Sequence, residues 1–271
     1  MAGYNRRMDA LTETLRQRVY ALWDALAERA PTAEGALDAL LAALCELVAA
    51  DDAHWLAAVR LPDMVAGDPV HGWRPRFFHY LRPPSPVLTQ RVAEQVTQLE
   101  AGVVDITTVR NVALAGAFRA NRLVDLAGEA WFADDYYRRY YLEQGRADAI
   151  WCGCPVSADA EVYIGLFRSA AQPRFTPAER DTVAFVLRGL RWFHRQSLLG
   201  RGLLAASAPL TGVERKVLQG LLGGRQEKEI AADLGQSPHT THSHVRGIYR
   251  KFGVNNRAAL MALWLGKGGA G

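Results

Sequence analysis

Apolar residues recur every three or four positions through long stretches of this chain, which is the spacing of helices that bury one face. The stretch from Met8 to Ala30 carries this spacing, and Pro31 ends it because proline cannot continue a helix. Further along, Thr176 and Glu179 form a capping box, so a long helix is expected to start there. The predicted helices of this part are Met8–Ala30, a segment capped by Thr32 that reaches Ala50, a segment after Pro83–Pro86, Glu129–Glu143 and Pro177–Leu199.

Shorter stretches rich in β-branched and aromatic residues lie between these helices and predict strands. The turn Ser157–Ala160 separates two of them and is typical of a hairpin. The expected strands are His54–Arg60, Trp73–Leu81, Asn121–Ala127, Ala149–Val156 and Glu161–Arg168. Residues 1–199 are therefore predicted to form an α+β domain, with helices flanking a largely antiparallel sheet.

The last part of the chain contains only helical patterns. Residues 200–209 are rich in Gly and Ala and are expected to link it to the first domain. The turn Gly235–Ser237 joins a short helix to a longer one, for which Ser237 is the cap and Pro238 the first residue. Two helices joined by such a turn are typical of a helix-turn-helix, whose second helix enters the major groove of DNA.

Charge separates this last part from the rest of the chain. Residues 1–208 contain 23 Arg, no Lys and 24 acidic residues, whereas residues 209–271 contain 9 basic and 4 acidic residues. The formal net charge is therefore −1 before the boundary and +5 after it, which gives +4 for the whole chain. A neutral body with a basic end indicates a polyanionic partner, and nucleic acid is the first candidate.

The predicted second helix, Pro238–Phe252, has one polar and one apolar face. At about 100° per residue, His242, Ser243 and Arg246 fall within an arc of about 120°. No carboxylate occurs between Pro238 and Gly253, which favours a surface that faces DNA, because carboxylates would repel phosphate. The other face carries Thr241, Val245, Ile248 and Phe252 and is expected to pack on the neighbouring helices.

Composition and motifs exclude several classes of protein. Hydrophobic residues make up 49% and charged residues 22%, as in globular chains, and no apolar run reaches the ~18 residues of a membrane span. Three cysteines and an N-terminus without an apolar signal segment lead us to expect a cytoplasmic protein. The chain lacks the motifs of hydrolases, phosphate loops, dinucleotide sites and zinc proteases, so neither an enzyme nor a cofactor is expected. His239 and His242 share a helix face, but His244 points elsewhere, so no metal site is expected.

Residues 210–257 carry several motifs at fixed spacings. They are Leu210-Thr211-x-x-Glu214, Gly224-x-x-x-Lys228-Glu229-Ile230-Ala231-x-x-Leu234, Ser237-x-x-Thr240, His244-Val245, Ile248-Tyr249-x-Lys251 and Gly253-Val254-x-Asn256-Arg257. Together they resemble the LuxR-type helix-turn-helix. The resemblance implies a four-helix DNA-binding domain over residues 210–271, a role in transcription regulation, and a homodimer. A two-fold dimer would bind double-stranded DNA with two-fold-related half-sites.

The resemblance also assigns roles to individual positions. It implies base reading by His242, Ser243 and Arg246, and phosphate contacts by Lys228, Thr240, His244, Arg250 and Lys251. The last helix, Arg257–Leu265, would form the dimer through Leu260, Met261 and Trp264. Three departures from the usual pattern are Thr241 in place of Val, His242 in place of Lys, and Gln226-Glu227 in place of Ser-Asn.

The first two hundred residues resemble GAF/PAS-like sensor folds in the order of their elements. Aromatic side chains cluster in two segments and would suit the walls of a pocket for a small apolar or aromatic effector. Core packing would also explain them. The candidate pocket residues are Trp73, Phe78, Tyr80, Trp131, Phe132, Tyr136 and Tyr140.

Two alternatives to a small-molecule sensor stay open at this point. The first domain could serve only assembly or the binding of a protein partner, without a ligand. Alternatively, Cys152 and Cys154, which would point the same way from a strand, could sense redox state or a metal.

Overall fold

The computed structural model of the chain describes residues 13–29, 35–61, 67–204 and 210–265. Over these residues the chain forms two compact units, the first ending at Arg191 and the second beginning at Trp192. The first unit contains helices and an antiparallel sheet and the second is all-helical, which confirms the predicted fold class. The predicted helix start at Met8, the predicted cap Thr32 and residues 205–209 of the predicted linker lie outside the described residues.

The sheet of the first unit has five strands in the order β2-β1-β5-β4-β3, and all neighbouring pairs are antiparallel. The predicted hairpin is confirmed, since β4 and β5 pair through a turn after Ser157. The strands are β1 Asp52–Arg60, β2 Trp73–Tyr80, β3 Arg119–Arg122, β4 Asp148–Ser157 and β5 Ala160–Arg168.

Helices cover both faces of this sheet. Ser85 and Thr176 begin two of them with side-chain oxygens that accept backbone N–H groups, as expected of capping residues. Helices α2 and α7 pack on one face of the sheet. The helices are α1 Glu13–Glu28, α2 Ala36–Val48, α3 Pro86–Glu100, α4 Ile106–Val112, α5 Leu123–Ala127, α6 Asp135–Tyr140 and α7 Pro177–Arg188.

Local capping overturns two predictions made from periodicity. The expected strand Asn121–Ala127 is wrong beyond Arg122, because the Asp125 carboxylate accepts the Arg122 N–H at 3.1 Å and turns the backbone into α5. The expected single helix Glu129–Glu143 is also wrong. The Asp134 carboxylate accepts the Tyr136 N–H at 2.7 Å, so a new helix starts there between two short 3₁₀ segments.

The predicted long helix Pro177–Leu199 is wrong as well, because it breaks after Arg188. Gly189 lies so close to the Trp23 ring that an added Cβ would be 2.6 Å from its nearest ring atom. The Leu190 N–H then bonds to the Leu187 carbonyl, a tighter turn than that of an α-helix. The second helix, α8, spans Arg191–Leu199.

The second unit has four further helices around one small core. The core is formed by residues from all four helices, of which Leu218, Ile230, Ile248 and Leu260 are at most 2% exposed. No helix in the described part of the chain is long and apolar enough to cross a membrane. The four helices are α9 Gly212–Leu222, α10 Glu227–Asp233, α11 Pro238–Phe252 and α12 Arg257–Trp264.

The core of the first unit can be tested at Leu166, which is fully buried on β5. We expect Leu166→Ala to lower the free energy of unfolding by about 2–5 kcal/mol, because the removed side chain leaves a cavity. Val87→Ala, at a position 52% exposed on α3, is the control and should change it by less than about 0.5 kcal/mol. Urea unfolding followed by circular dichroism measures both, and equal effects would contradict this description of the core.

Candidate functional site

Helix α11 divides into a buried and an exposed face. Its start is fixed by Ser237, whose Oγ accepts the Thr240 N–H at 3.1 Å, and its end by Gly253 in the left-handed region at φ 64°. The four residues expected on the inner face are the buried ones, namely Thr241, Val245, Ile248 and Phe252. The prediction of an amphipathic helix is therefore confirmed.

The exposed face of α11 contains the residues expected to read bases. His242, Ser243 and Arg246 are exposed, and so is Arg250 one turn further on. Lys228 is exposed on α10. Among the described residues, Arg246, Arg250 and Lys228 form no ion pair. These three cations can therefore bind an external anion.

The remaining positions expected to bind phosphate, Thr240, His244 and Lys251, are either half-buried or already hydrogen-bonded within the protein. Lys251 donates from Nζ to the Glu214 carboxylate at 2.7 Å and is half-buried. Burial raises the pKa of Glu214, but the hydrogen bonds from Lys251 and Thr211 outweigh it, so the pKa is lowered overall. His244 is half-buried, and the Thr240 hydroxyl bonds to that of Ser237. Lys251 thus holds the start of α9, in addition to any role at the DNA.

A carboxylate that sequence analysis did not weigh also touches the exposed face of α11. Glu227, the first residue of α10, lies with Oε2 2.9 Å from Nδ1 of His242. Helix α11 itself has no acidic residue, but the neighbouring helix α10 places one beside it.

The three residues expected at the dimer contact differ in their burial. Leu260 is fully buried in the core of the second unit, so it cannot contact a partner directly, and that part of the prediction is corrected. Met261 and Trp264 are half-buried, and the Trp264 ring lies 6.2 Å from that of Phe252. Leu265 follows them and is 69% exposed.

In the first unit, a cavity of about 210 Å³ lies between the sheet and helices α3, α4 and α6. Four of the seven residues expected in a pocket line it, namely Trp73, Phe78, Tyr136 and Tyr140. The other three, Tyr80, Trp131 and Phe132, do not. They are engaged elsewhere, because Tyr80 stacks on Phe78, Trp131 donates to Asp105, and Phe132 lies under the Arg174 guanidinium.

Helix α3 covers the cavity without closing it. Its apolar stripe lines the cavity, yet none of its residues is buried. A helix that packs on a filled core would bury such a stripe. The stripe residues are Leu88, Val92, Val96 and Leu99.

Every charged group on the cavity wall has a partner within the protein, a carboxylate for each arginine and hydrogen-bond donors for Asp105. Asp105 accepts hydrogen bonds from the Thr107 N–H at 2.8 Å and from Trp131 at 2.9 Å. The three arginines on the wall form ion pairs of 3.0 to 3.1 Å, namely Arg74–Asp68, Arg91–Glu94 and Arg146–Asp52. No unpaired arginine therefore faces a molecule bound inside, and the Asp105 carboxylate already accepts hydrogen bonds from the protein.

A buried polar network reaches the cavity wall through Asn111 and Tyr163. Arg119 on β3 donates to both carboxylate oxygens of Glu161, at 3.2 and 2.8 Å, and to the Tyr163 hydroxyl at 2.9 Å. Its Nε donates to Asn111 at 2.7 Å. Burial is the main cause that raises the pKa of the Tyr163 hydroxyl, so this group is neutral and can form hydrogen bonds.

Most of the sheet residues on the cavity wall were not among the residues predicted from the sequence. Alternation along β4 and β5 would have placed Trp151, Tyr163 and Phe167 on one face, because side chains of a strand point to opposite sides in turn. The residues from α4, among them Thr107 and Asn111, gave no such signal.

The two cysteines of β4 alternate with Trp151 and therefore lie on the sheet face away from the cavity. Both are buried. Burial raises the pKa of Cys152 to about 12 and that of Cys154 well above its usual range. Among the described residues, no group of three metal-ligating side chains is present. The surroundings are those of inert thiols and do not support a redox or metal sensor.

Residues 208–264 match the family described as "Bacterial regulatory proteins, luxR family". The "Transcriptional regulatory protein UhpA" of Escherichia coli (strain K12) is 48% identical over 52 residues, which cover 19% of this chain and 26% of that protein. The "Transcriptional regulatory protein MctR" of Rhizobium johnstonii is 35% identical over 72 residues, 27% of this chain and 34% of that protein. This chain thus spans about a third of these relatives or less. The second unit contains a LuxR-type helix-turn-helix domain, as expected from the sequence.

Two solved structures align along much of the chain at low identity. "SdiA in complex with octanoyl-rac-glycerol" is 13% identical, with a TM-score of 0.46 over 96% of this chain and 97% of that chain. The "VqsR LBD domain from Pseudomonas aeruginosa" is 13% identical, with a TM-score of 0.47 over 69% of this chain and 98% of that chain.

The burial of the thiols can be tested with a chromogenic disulfide reagent. We expect Cys45, Cys152 and Cys154 to react slowly in the folded protein at about pH 8, because their raised pKa values leave little thiolate. In guanidinium chloride all three should react at once. Rapid reaction of Cys152 or Cys154 in the folded protein would restore the redox interpretation.

Proposed function

We propose that the protein is a sequence-specific, DNA-binding transcriptional regulator whose first unit binds an uncharged small molecule. The observation that supports DNA binding most directly is the exposed face of α11, where Arg246 and Arg250 have no ion-pair partner among the described residues. The match of residues 208–264 to the luxR family supports the same conclusion.

In this proposal α11 lies in the major groove of the duplex. His242, Ser243 and Arg246 contact base edges, and the arginine binds guanine because its two N–H donors match the O6 and N7 acceptors. Lys228, Arg250, Thr240 and His244 contact phosphates, which fix the orientation of the domain but carry no sequence information. Lys251 contributes through its bond to Glu214, which holds α9.

We further propose a homodimer that binds two-fold-related half-sites. The surface of α12 around Met261 and Trp264 continues into the exposed Leu265 and supplies apolar area for a two-fold contact. Leu260 supports this surface from within the core.

One arginine and one lysine of this surface separate base reading from phosphate binding. Arg246→Ala should reduce the preference for a selected duplex over a scrambled one by about 1–3 kcal/mol, because a bidentate base contact is lost. Lys228→Ala should instead weaken binding to both duplexes equally and lower the salt slope by about one. Fluorescence anisotropy over a salt series measures both variants, and equal, non-specific losses would contradict the assignment.

The cavity determines the kind of molecule that the first unit binds. Its wall is mostly aromatic and aliphatic, its arginines are paired with carboxylates, and Asp105 accepts hydrogen bonds from Thr107 and Trp131. An anionic ligand would lose its hydration without gaining a counter-ion, because each arginine is already paired. A cationic ligand would have to compete with Thr107 and Trp131 for the Asp105 carboxylate. The hydroxyls of Tyr136, Tyr140 and Tyr163 can bond to one or two polar atoms. We infer an uncharged, largely apolar or aromatic effector whose binding closes α3 over the cavity and changes DNA affinity.

Filling the cavity tests this inference. Indole, alkylphenols and medium-chain alcohols should raise the melting temperature, and carboxylic acids of the same length should not. Val96→Trp should abolish the rise because the new ring occupies the cavity, whereas Val87→Trp, exposed on the same helix, should preserve it. A panel without any stabilising neutral compound, or Val96→Trp that responds like the wild type, would contradict ligand binding.

A further inference from the structure

The pairing of Glu227 with His242 is the contact of the second unit that the proposed function leaves unexplained. Both side chains are accessible, with 37% and 56% of their surfaces exposed, and they join α10 to α11 at 2.9 Å. The three other acidic residues of residues 209–271 are bonded elsewhere, namely Glu214 to Lys251, Glu229 to the Gln226 N–H and Asp233 to Arg225. Glu227 is thus the acid that bonds to the exposed face of α11.

A carboxylate beside a DNA-facing helix carries a cost in affinity, since it repels the phosphates that Arg246, Arg250 and Lys228 attract. The benefit of this carboxylate must therefore lie in how it orients the imidazole ring of His242. A carboxylate only accepts hydrogen bonds, so Nδ1 of His242 carries the proton and donates to Glu227. The ring is then held in one orientation and one tautomer, with Nε2 on its other edge.

We propose that Glu227 is a specificity-determining residue of the DNA interface, which positions His242 so that Nε2 meets a base edge. The proposal rests on the DNA-binding function proposed above. In the neutral ring Nε2 is a hydrogen-bond acceptor. The hydrogen-bond donors of the major groove are the exocyclic amines of adenine and cytosine. With Nδ1 donating to Glu227, Nε2 is the acceptor left to the groove, so the protein prefers one of these bases at the position that His242 contacts.

Glu227 lowers the affinity for DNA of any sequence and raises the preference for one base. Its negative charge weakens binding to every duplex in the same way, because phosphates are present in all of them. Its hydrogen bond strengthens binding only where a base donates to Nε2. Removal of the charge and removal of the hydrogen bond therefore have different consequences, which a pair of substitutions can separate.

The experiment uses the full chain and begins with selection of a binding site from random duplexes at about pH 8. Affinities are then measured for the selected site and for single-base changes across each half-site. Glu227→Gln keeps an acceptor near the ring and loses the charge, so it should bind all duplexes more tightly and keep the base preference. Glu227→Ala loses both and should reduce the preference at one position by about fivefold or more.

A double-mutant cycle identifies that position as the one that His242 contacts. His242→Ala alone should remove the same preference, and Glu227→Ala should have no further effect on it in that background. Asp233→Asn removes a charge from the same helix without touching His242 and should leave the preference intact. Glu227→Ser repeats the test with a residue that suits a helix start but cannot reach the ring.

The outcomes separate this proposal from the function on which it rests. A wild-type protein that selects no duplex overturns both. A wild-type protein that selects a site, with Glu227→Ala and Glu227→Ser retaining every base preference, overturns the role of Glu227 alone. Additive effects of Glu227→Ala and His242→Ala on that preference also overturn it, because a positioning residue acts only through the residue that it positions.

Discussion

A buried ion pair holds the first unit together across three strands. Arg119 lies on β3 and Glu161 on β5, with β4 between them, so the arginine side chain must cross β4 to reach its partner. It does so at Gly153, where an added Cβ would lie 2.4 Å from the guanidinium carbon. The carboxylate also accepts the Gly116 N–H at 2.6 Å, which fixes the loop before β3. Loss of either charge would leave the other buried and unpaired, at a cost of about 3–5 kcal/mol.

This network sets the polar groups that the protein presents at one part of the cavity wall, through Asn111 and Tyr163. Because Glu161 neutralises Arg119, the polar end of the cavity offers the hydroxyl of Tyr163 and the amide of Asn111 in place of a charge. Charge pairing of this kind also occurs around the rest of the wall, where each arginine has its own carboxylate. For the ligand proposed above, such an interior would disfavour anions by desolvation and leave selection among neutral molecules to shape and a few hydroxyls.

The sequence predicted the second unit better than the first, and the reason is the range of the interactions involved. Capping residues such as Ser237 and the spacing of Val245 and Ile248 act within a few positions, so the helices of this unit could be derived locally. The cavity is assembled from segments between His54 and Phe167, and periodicity within one segment cannot show which of its neighbours face the same space. The failed prediction over Glu129–Glu143 has a local cause, the cap at Asp134, which the aromatic spacing concealed.

The contact between Glu227 and His242 connects two departures that sequence analysis noted separately. A lysine at 242 would offer the groove a charged, flexible donor, and an asparagine at 227 would add no charge beside it. Here the donor is an imidazole and its neighbour a carboxylate, and the structure places them 2.9 Å apart. Either exchange alone would be unfavourable for a DNA-binding surface, since histidine without a partner is free to rotate and glutamate without a partner only repels phosphate. In the role proposed for Glu227, the two residues together replace a flexible cation with an oriented hydrogen-bonding group, and the proposed gain is in selectivity for the sequence rather than in affinity for the polymer.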